Sequence, residues 1–597
     1  MLLLSVLELV PAFLFFVTAQ AASKDSWRSR VIYQLLTDRF AVEDDGSSTS
    51  CDPADKVYCG GTWKGIQSKL DYVQGMGFDA IWISPIMKNL NGTHGDDGQA
   101  YHGYWNTEFE TLNSHFGTED DLVNLITDVH SRGMYIMFDS IANSMAVAGP
   151  AADIDYSTLK PFNSSEYFHQ FCMVNFTDLT NTTQIADCWN GDDNVYLADL
   201  DIESDVVSSY LYNQIEATTD RYTVDGYRVD AVKQMNLSFL DQYTTSASAF
   251  VIGEVFDYTP KTACPYLEHL QGMTNYPARL GMLYSFNQTG AGFGALHDLD
   301  YQMRSNCSSY DMSLLITFLE NHDLPRFASQ NNDTARAVGS LAFLMLWDGI
   351  PVLYYGQEQH LSGASDPYNR EALWTYGYNT SSTYYQTVRK AIALRKLASA
   401  DDDNWLKDQY QYLAYDNAPG TYAIVQKGNV LGMYTNVGSS AGNKVYSAVS
   451  NFDENTVITD IFSGKNVTVG NNGSVTFTVT SGMAQVYYPA TKLTSYSHYL
   501  GAATTVSSVS STTYPSSYST ITLGQTQATG SILASTSAHS SAGSSSATGS
   551  ASHVSSSVSS VYASASTSSQ HSAAPRASAF SSVGLLLVIA TVVLTVL

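Results

Sequence analysis

Five acidic residues follow short apolar segments of the chain, each close to the point where its segment ends. They are Asp139, Asp230, Glu254, Glu320 and Asp323. A single acidic residue in such a place commonly caps a helix. Five that converge repel one another, so helix capping alone explains them poorly. Converging carboxylates serve either to bind a hard metal ion or to cleave glycosides by acid–base chemistry.

Aromatic side chains near these carboxylates favour a sugar over a metal ion. Residues 101–105 read Tyr-His-Gly-Tyr-Trp, and sugar rings stack on aromatic faces while their hydroxyls bind carboxylates. A glycosidase that retains anomeric configuration needs two carboxyl groups roughly 5 Å apart, one ionised and one protonated. Arg228 lies two residues before Asp230, on the same face of a strand. We therefore expect the charge of Arg228 to keep Asp230 ionised.

The apolar segments themselves predict buried parallel strands separated by helices. Seven begin near residues 31, 80, 134, 226, 250, 314 and 350, and residues 282–286 are a weaker candidate for an eighth. Buried parallel strands are continuously apolar rather than alternating. Eight such strands predict an α/β fold, a (β/α)8 TIM barrel, in which chemistry takes place at the carboxyl ends of the strands.

Composition changes along the chain predict five regions. Short β runs divided by Gly, Asn and Ser turns lie between about 400 and 490 and predict an antiparallel domain. From 493 onwards the chain is rich in Ser, Thr and Ala, and Arg576 is its single charged residue. The predicted order is a signal peptide (1–21), the barrel (22–395) with an inserted domain at about 143–200 after the third strand, a C-terminal β-domain (396–490), a stalk (491–572) and a GPI-attachment propeptide (573–597).

Both ends of the chain resemble secretory signals. Residues 1–21 are apolar and close with Ala19-Gln20-Ala21, as a cleaved signal peptide does, although a buried N-terminal helix is the alternative. Small residues at 572–574, a spacer and an apolar tail at 583–597 predict a GPI anchor attached at Ser572, with a tail-anchored span as the alternative. We expect a protein at the plasma membrane or cell wall.

The cysteine count and the charge agree with export. Six cysteines without a CxxC pair suit three disulfides in an oxidising compartment, and eleven Asn-x-Ser/Thr sites predict several glycans. The chain has 597 residues, 29 Lys and Arg against 56 Asp and Glu, and a net charge of −27. This balance argues against nucleic acid and anionic lipid as partners.

Longer motifs surround the carboxylates. They are Phe138-Asp139-Ser-Ile-Ala-Asn143, Leu197-Ala-Asp199-Leu-Asp201, Asp225-Gly-Tyr-Arg228-Val-Asp230-Ala-Val-Lys233, Gly253-Glu254-Val255 and Phe318-Leu-Glu-Asn-His322-Asp323. In this order they resemble the α-amylase family of glycoside hydrolases, and within it the secreted fungal enzymes of the Taka-amylase type. The resemblance runs from about Trp27 to Pro489.

The resemblance implies a role for each matched residue. Asp230 would be the nucleophile, Glu254 the general acid and then base, and Asp323 would hold the distorted sugar by its hydroxyls. The residues that would line the sugar subsites are His102, Tyr104, Trp105, Arg228, Lys233, His322, Asp366 and Arg370.

Disulfides and a calcium site are also implied by the resemblance. The pairs would be Cys51–Cys59, Cys172–Cys188 and Cys264–Cys307, although six cysteines alone allow fifteen pairings. Calcium would be held by Asn143, Asp199 and the backbone carbonyl of Gln234. The fungal enzymes supply a further Glu two residues before the second cysteine of the inserted domain, where this chain has Ala186. Retention and loss of calcium both stay open.

Two departures from the family pattern keep alternative functions open. Ser144 and Gln234 stand where the family usually has histidine. The first hypothesis is a retaining, endo-acting α-1,4-glucan hydrolase that works as a monomer on α-glucan or maltooligosaccharide. The second is a 4-α-glucanotransferase acting on cell-wall α-glucan, since loss of a sugar contact would lengthen the life of a glycosyl-enzyme. The third is a catalytically silent glucan-binding wall protein.

Overall fold

The structure is a computed structural model that describes residues 22–43, 50–175, 177–178, 181–287, 292–416 and 420–500. The predicted signal peptide, the predicted stalk beyond residue 500 and Ser572 lie outside the described residues. Among the described helices, none combines the length and the apolar character that a membrane span requires.

Eight parallel strands form the predicted barrel. They are β1 (Ile32–Leu35), β2 (Ala80–Ile83), β3 (Tyr135–Ser140), β4 (Gly226–Val229), β5 (Phe250–Gly253), β6 (Gly272–Met273), β7 (Ile316–Thr317) and β8 (Ile350–Tyr354). Hydrogen-bonded neighbours follow the order β6-β5-β4-β3-β2-β1-β8-β7. A parallel bridge between Thr274 and Ile316 joins the two remaining edges. The barrel prediction is therefore confirmed.

Helices surround the barrel because each offers it an apolar face. In the helix Glu119–Ser131, Leu122, Leu125, Ile126 and Val129 are buried at helical spacing, and Thr118 closes its first turn with a capping box. The longer helices are Glu119–Ser131, Asp205–Tyr222, Leu237–Ser246, Tyr276–Asn287, Phe293–Asn306, Thr334–Leu346 and Thr383–Asp401. Shorter ones are Lys24–Arg28, Thr37–Phe40, Trp63–Ser68, Leu70–Gly75, Thr182–Asp187, Pro260–Ala263 and Phe327–Gln330.

The sixth strand is not where the sequence predicted it. Residues 282–286 belong to the helix Tyr276–Asn287, and the strand is the two-residue segment Gly272–Met273. The helix packs against Phe293–Asn306 and the barrel and is buried on most sides. A buried helix presents a continuous apolar run, which periodicity alone does not distinguish from a buried strand.

The inserted domain after β3 contains a three-stranded antiparallel sheet of Ser144–Ala148, Val195–Asp199 and Asn190–Gly191. A second antiparallel pair, Met87–Asn89 with Asn106–Leu112, lies between β2 and β3. All three disulfides that the resemblance implied are formed: Cys51–Cys59, Cys172–Cys188 and Cys264–Cys307.

The C-terminal β-domain is antiparallel, as predicted. One sheet pairs Gln411–Tyr415, Tyr422–Lys427, Val430–Thr435, Gln485–Pro489, Val457–Asp460 and Asn466–Thr468 in that order, and the other pairs Lys444–Val449 with Ser474–Val479. After residue 489 a 3-10 segment continues to Tyr499, and the Tyr496 hydroxyl donates to the carbonyl of Lys390 at 2.8 Å. Packing thus continues past the predicted start of the stalk at 491.

Candidate active site

One arginine joins the carboxylates that follow three neighbouring barrel strands. Asp139 at the end of β3 stands in register with Arg228 of β4, and Asp230 and Glu254 follow β4 and β5. Arg228 Nη1 donates to Asp139 Oδ1 at 2.7 Å and to Asp230 Oδ1 at 2.6 Å. Arg228 Nη2 lies 2.9 Å from Glu254 Oε2. One planar guanidinium therefore bridges Asp230 and Glu254.

The charge of this cluster is only partly balanced. Burial raises the pKa of Asp230 well above its usual range, the adjacent Glu254 and Asp139 add to the effect, and Arg228 opposes it. Burial likewise raises the pKa of Asp323 to about 7, with Glu254 adding and Arg370 opposing. The contact that was expected between Arg228 and Asp230 is present, and it favours the ionised carboxylate, whereas burial and the like charges oppose ionisation.

Asp323 follows β7 and lies beside a second arginine. Arg370 Nη2 is 3.7 Å from Asp323 Oδ1, and Arg370 Nη1 is 3.1 Å from Asp366 Oδ1. His322 Nε2 is 3.2 Å from Asp323 Oδ2, and Arg370 Nε donates to the carbonyl of His322 at 3.0 Å. Burial lowers the pKa of His322 well below its usual range, so its imidazole is neutral.

Aromatic rings line one side of the carboxylates. The Tyr104 hydroxyl donates to Asp139 Oδ2 at 2.7 Å, and its ring stacks on His322 with centroids 4.9 Å apart. The backbone N–H of Tyr104 donates to His102 Nδ1 at 3.0 Å, and the Trp105 ring meets the His102 ring edge-on. Burial lowers the pKa of His102 well below its usual range. These rings offer a partly exposed platform suited to a sugar.

Lys233 and Glu320, which the sequence placed at the candidate site, form ion pairs with residues outside the three catalytic carboxylates. Lys233 Nζ forms an ion pair with Asp257 at 3.0 Å, at the rim of the carboxylate cluster. Glu320 was expected among the converging carboxylates, but it is buried and accepts from Arg326 at 3.3 Å and from the N–H of Phe327 at 2.9 Å. Glu320 therefore stabilises the loop after β7 and lies apart from the candidate site.

Sequence reasoning missed three groups that hold the site. The Tyr276 hydroxyl donates to Glu254 Oε1 at 3.2 Å, and Asn321 Nδ2 donates to the same hydroxyl at 3.1 Å. Trp82 Nε1 donates to Asp139 Oδ2 at 3.1 Å. Tyr276 comes directly after β6, so the misplaced sixth strand concealed it. A correct β6 would have put Tyr276 at the carboxyl end of a barrel strand, where functional side chains gather.

The residues implied as calcium ligands do not fit a calcium site. Asn143 Nδ2 donates to Asp199 Oδ1 at 2.7 Å, and His169 Nδ1 lies 2.6 Å from Asp199 Oδ2, so both carboxylate oxygens are engaged. Asn143 Oδ1 is a buried oxygen without a partner in the described part of the chain. Calcium takes six to eight oxygens, and position 186 is alanine. The Gln234 side chain accepts from Asn190 at 2.7 Å.

Two family models match this chain. The α-amylase catalytic domain matches residues 34–418, and domain C of α-amylases matches residues 418–501. These ranges correspond to the barrel with its inserted domain and to the C-terminal β-domain. They cover the candidate site completely.

Similar proteins and a similar solved structure point to the same family. The chain is 54% identical over 492 residues to α-amylase 1 of Schizosaccharomyces pombe, covering 82% of this chain and 78% of that protein. It is 37% identical over 490 residues to the α-amylase of Saccharomycopsis fibuligera, covering 82% and 97%. An α-amylase structure from Malbranchea cinnamomea has a TM-score of 0.76 and 38% identity, covering 79% of this chain and 99% of that one. The chain therefore belongs to the α-amylase family of glycoside hydrolases.

Proposed function

We propose that this chain is an α-amylase that cleaves internal α-1,4-glucosidic bonds of starch-like or glycogen-like glucans with retention of configuration. The observation that carries the proposal is the guanidinium of Arg228, which contacts Asp230 on one nitrogen and Glu254 on the other. Two carboxyl groups that share one guanidinium lie close together, as do those of retaining enzymes, which are about 5–5.5 Å apart.

The geometry supports separate roles for the two carboxyls. Asp230 Oδ1 is held by Arg228, which leaves Oδ2 to attack the anomeric carbon and form a glycosyl ester. In the same step Glu254 protonates the glycosidic oxygen as its bond to the anomeric carbon breaks, and in the next step Glu254 takes a proton from the water that hydrolyses the ester. The Glu254 carboxyl is positioned by Arg228 and the Ala231 N–H on Oε2 and by Tyr276 on Oε1.

Asp323 and the aromatic platform would bind the sugar in the reactive position. Asp323 is partly exposed in the mouth and flanked by His322 and Arg370, which fix its carboxylate. Tyr104 and Trp105 supply ring faces, and the neutral His102 and His322 supply hydrogen-bonding nitrogens. Lys233, Asp366 and Arg370 would contact neighbouring sugars.

A single substitution tests the assignment of Asp230. Asp230→Asn should abolish cleavage of soluble α-1,4-glucan while the circular dichroism spectrum stays that of the native protein, because an amide cannot form the ester. Asp298→Asn, the same change on an exposed helix position, is the matched control and should keep full activity. Retained activity in Asp230→Asn would remove Asp230 from the mechanism.

Hydrolysis is favoured over the alternative of glucan transfer because the relatives that share most of this chain are named α-amylases. The silent glucan-binding alternative is disfavoured because Asp230, Glu254 and Asp323 are all present and mutually placed for chemistry.

We further propose that the enzyme is secreted and held at the cell surface by a GPI anchor, as a monomer. The apolar segments at 1–21 and 583–597 and the three disulfides support this location. Treatment of intact cells with a phosphatidylinositol-specific phospholipase should release active enzyme. Deletion of 583–597 should send it to the medium, and a truncated chain that still sediments with membranes would contradict the anchor.

A further inference from the structure

Three potential metal ligands converge where the inserted domain returns to the barrel. His169, Asp201 and Glu203 each direct one ligand atom toward the others, all within 4.8 Å. His169 Nε2 lies 3.1 Å from Glu203 Oε2 and 3.7 Å from Asp201 Oδ1. We propose that these three residues form a binding site for a divalent transition-metal ion of the zinc type, separate from the catalytic carboxylates.

The distances between the donor atoms suit zinc. With Zn–N and Zn–O bonds of about 2.0–2.2 Å in a tetrahedron, donor atoms are separated by roughly 3.3–3.6 Å. The two separations measured from His169 Nε2 lie on either side of this range. Small side-chain adjustments would therefore bring all three atoms to bonding distance, and water would complete the coordination.

Neighbouring groups orient two of the three ligands. Asp199 Oδ2 is 2.6 Å from His169 Nδ1, so Nδ1 carries a proton and Nε2 faces Asp201 and Glu203. Asn236 Nδ2 donates to Glu203 Oε1 at 2.7 Å, which leaves Oε2 for the ion. A carboxylate behind a ligating imidazole and a hydrogen bond behind a ligating carboxylate are the usual supports of protein metal sites.

The donor set distinguishes the ion from calcium. Imidazole nitrogen with two carboxylates suits zinc and its first-row neighbours, whereas calcium takes oxygen ligands. His169 is mostly buried, while Glu203 is exposed, so an ion can enter from solvent.

The site would stabilise the inserted domain. His169 belongs to that domain, and Asp201 and Glu203 lie at its exit, immediately before the helix Asp205–Tyr222. An ion bound to all three ties the middle of this domain to its exit and stabilises the folded state by mass action.

Zinc titration tests the proposal on the full chain after removal of metals with a chelator. By calorimetry, the wild type should bind one zinc ion, and zinc should raise its thermal unfolding midpoint. Glu203→Gln, which can keep the bond with Asn236, should bind zinc at least about tenfold more weakly, and Asp201→Asn should also weaken it. Glu216→Gln, an exposed acidic position on the helix Asp205–Tyr222, should bind like the wild type.

Two results would overturn the site. Equal affinity in the wild type and Glu203→Gln would place the zinc elsewhere, for example at the catalytic carboxylates. An absence of saturable zinc binding would reduce the three residues to an ion pair. Calcium at the same concentrations should displace no zinc.

Discussion

The Tyr276 hydroxyl donates a hydrogen bond to Glu254 Oε1 at 3.2 Å, whereas Arg228 contacts the other carboxylate oxygen, Oε2. Asn321 Nδ2 donates to the same Tyr276 oxygen and fixes its direction. The two oxygens of Glu254 thus differ: Oε2 faces a cation, and Oε1 faces a neutral phenol. Because a proton is disfavoured beside a cation, Oε1 is the oxygen expected to carry the catalytic proton.

Tyr276→Phe should lower kcat/KM about tenfold, since one hydrogen bond that positions Glu254 is lost. Loss of a donor to the ionised carboxylate favours the protonated form, so the alkaline limb of the pH profile should move to higher pH. Tyr258→Phe, the same change in a ring 5.6 Å from that of Tyr276, is the matched control and should leave the profile unchanged. An unshifted limb in Tyr276→Phe would show that the contact has no effect on proton transfer.

Arg228→Lys should reduce kcat about a hundredfold or more, because one ammonium cannot contact Asp139, Asp230 and Glu254 together as the planar guanidinium does. The variant should also have a lower thermal unfolding midpoint, because the buried negative charge of Asp139 would lose part of its pairing with the guanidinium. Wild-type kcat in a folded Arg228→Lys protein would mean that the shared guanidinium is dispensable.

The raised pKa of Asp323 predicts that the free energy of unfolding depends on pH. The pKa of Asp323 is raised to about 7 in the folded protein by burial and by Glu254, whereas an unfolded Asp titrates near 3.9. The folded state therefore prefers the protonated form, and stability falls as pH rises from about 4 to about 7. Asp323→Asn, which cannot ionise, should gain unfolding free energy relative to the wild type at pH 8 and lose most of that gain at pH 4. An equal difference at both pH values would contradict the assigned shift.

Calcium should leave the thermal unfolding midpoint of the wild type unchanged, because both oxygens of Asp199 are engaged and residue 186 lacks a carboxylate. Ala186 belongs to the helix Thr182–Asp187, which packs against the turn Val232–Gln234. Ala186→Glu restores one carboxylate there, and calcium should raise the midpoint of this variant but not of Ala186→Gln. A midpoint that rises with calcium in the wild type would show that the remaining oxygens suffice.

Asp230 and Glu254 could be found from the sequence because each directly follows a buried strand, β4 or β5. The short distance between Asp230 and Glu254 could be expected from the parallel register alone. The position of β6 could not be predicted, because a strand of two residues is too short to show a periodic pattern. The buried helix after it has the continuous apolar sequence that is expected of a strand. Glu320 was misplaced since its partner, Arg326, lies in a loop whose course the sequence does not predict.

Contacts between distant segments were also beyond the sequence. Two strands of the inserted domain lie between His169 and Glu203 in the sequence, and Asn321 of the segment after β7 contacts Tyr276 of the segment after β6. Such pairs depend on the path of the loops above the barrel, and loops carry little pattern of their own.

Covalent capture tests the central claim, that Asp230 forms the glycosyl-enzyme. In Glu254→Gln, general acid–base help is removed, and α-maltosyl fluoride supplies a leaving group that needs no proton. Asp230 should displace fluoride and remain as a maltosyl ester, because water is no longer activated for its hydrolysis. Mass spectrometry of proteolytic peptides should find the maltosyl group on Asp230 and nowhere else. A maltosyl group on another residue, or an unlabelled Asp230 while fluoride is released, would contradict the account.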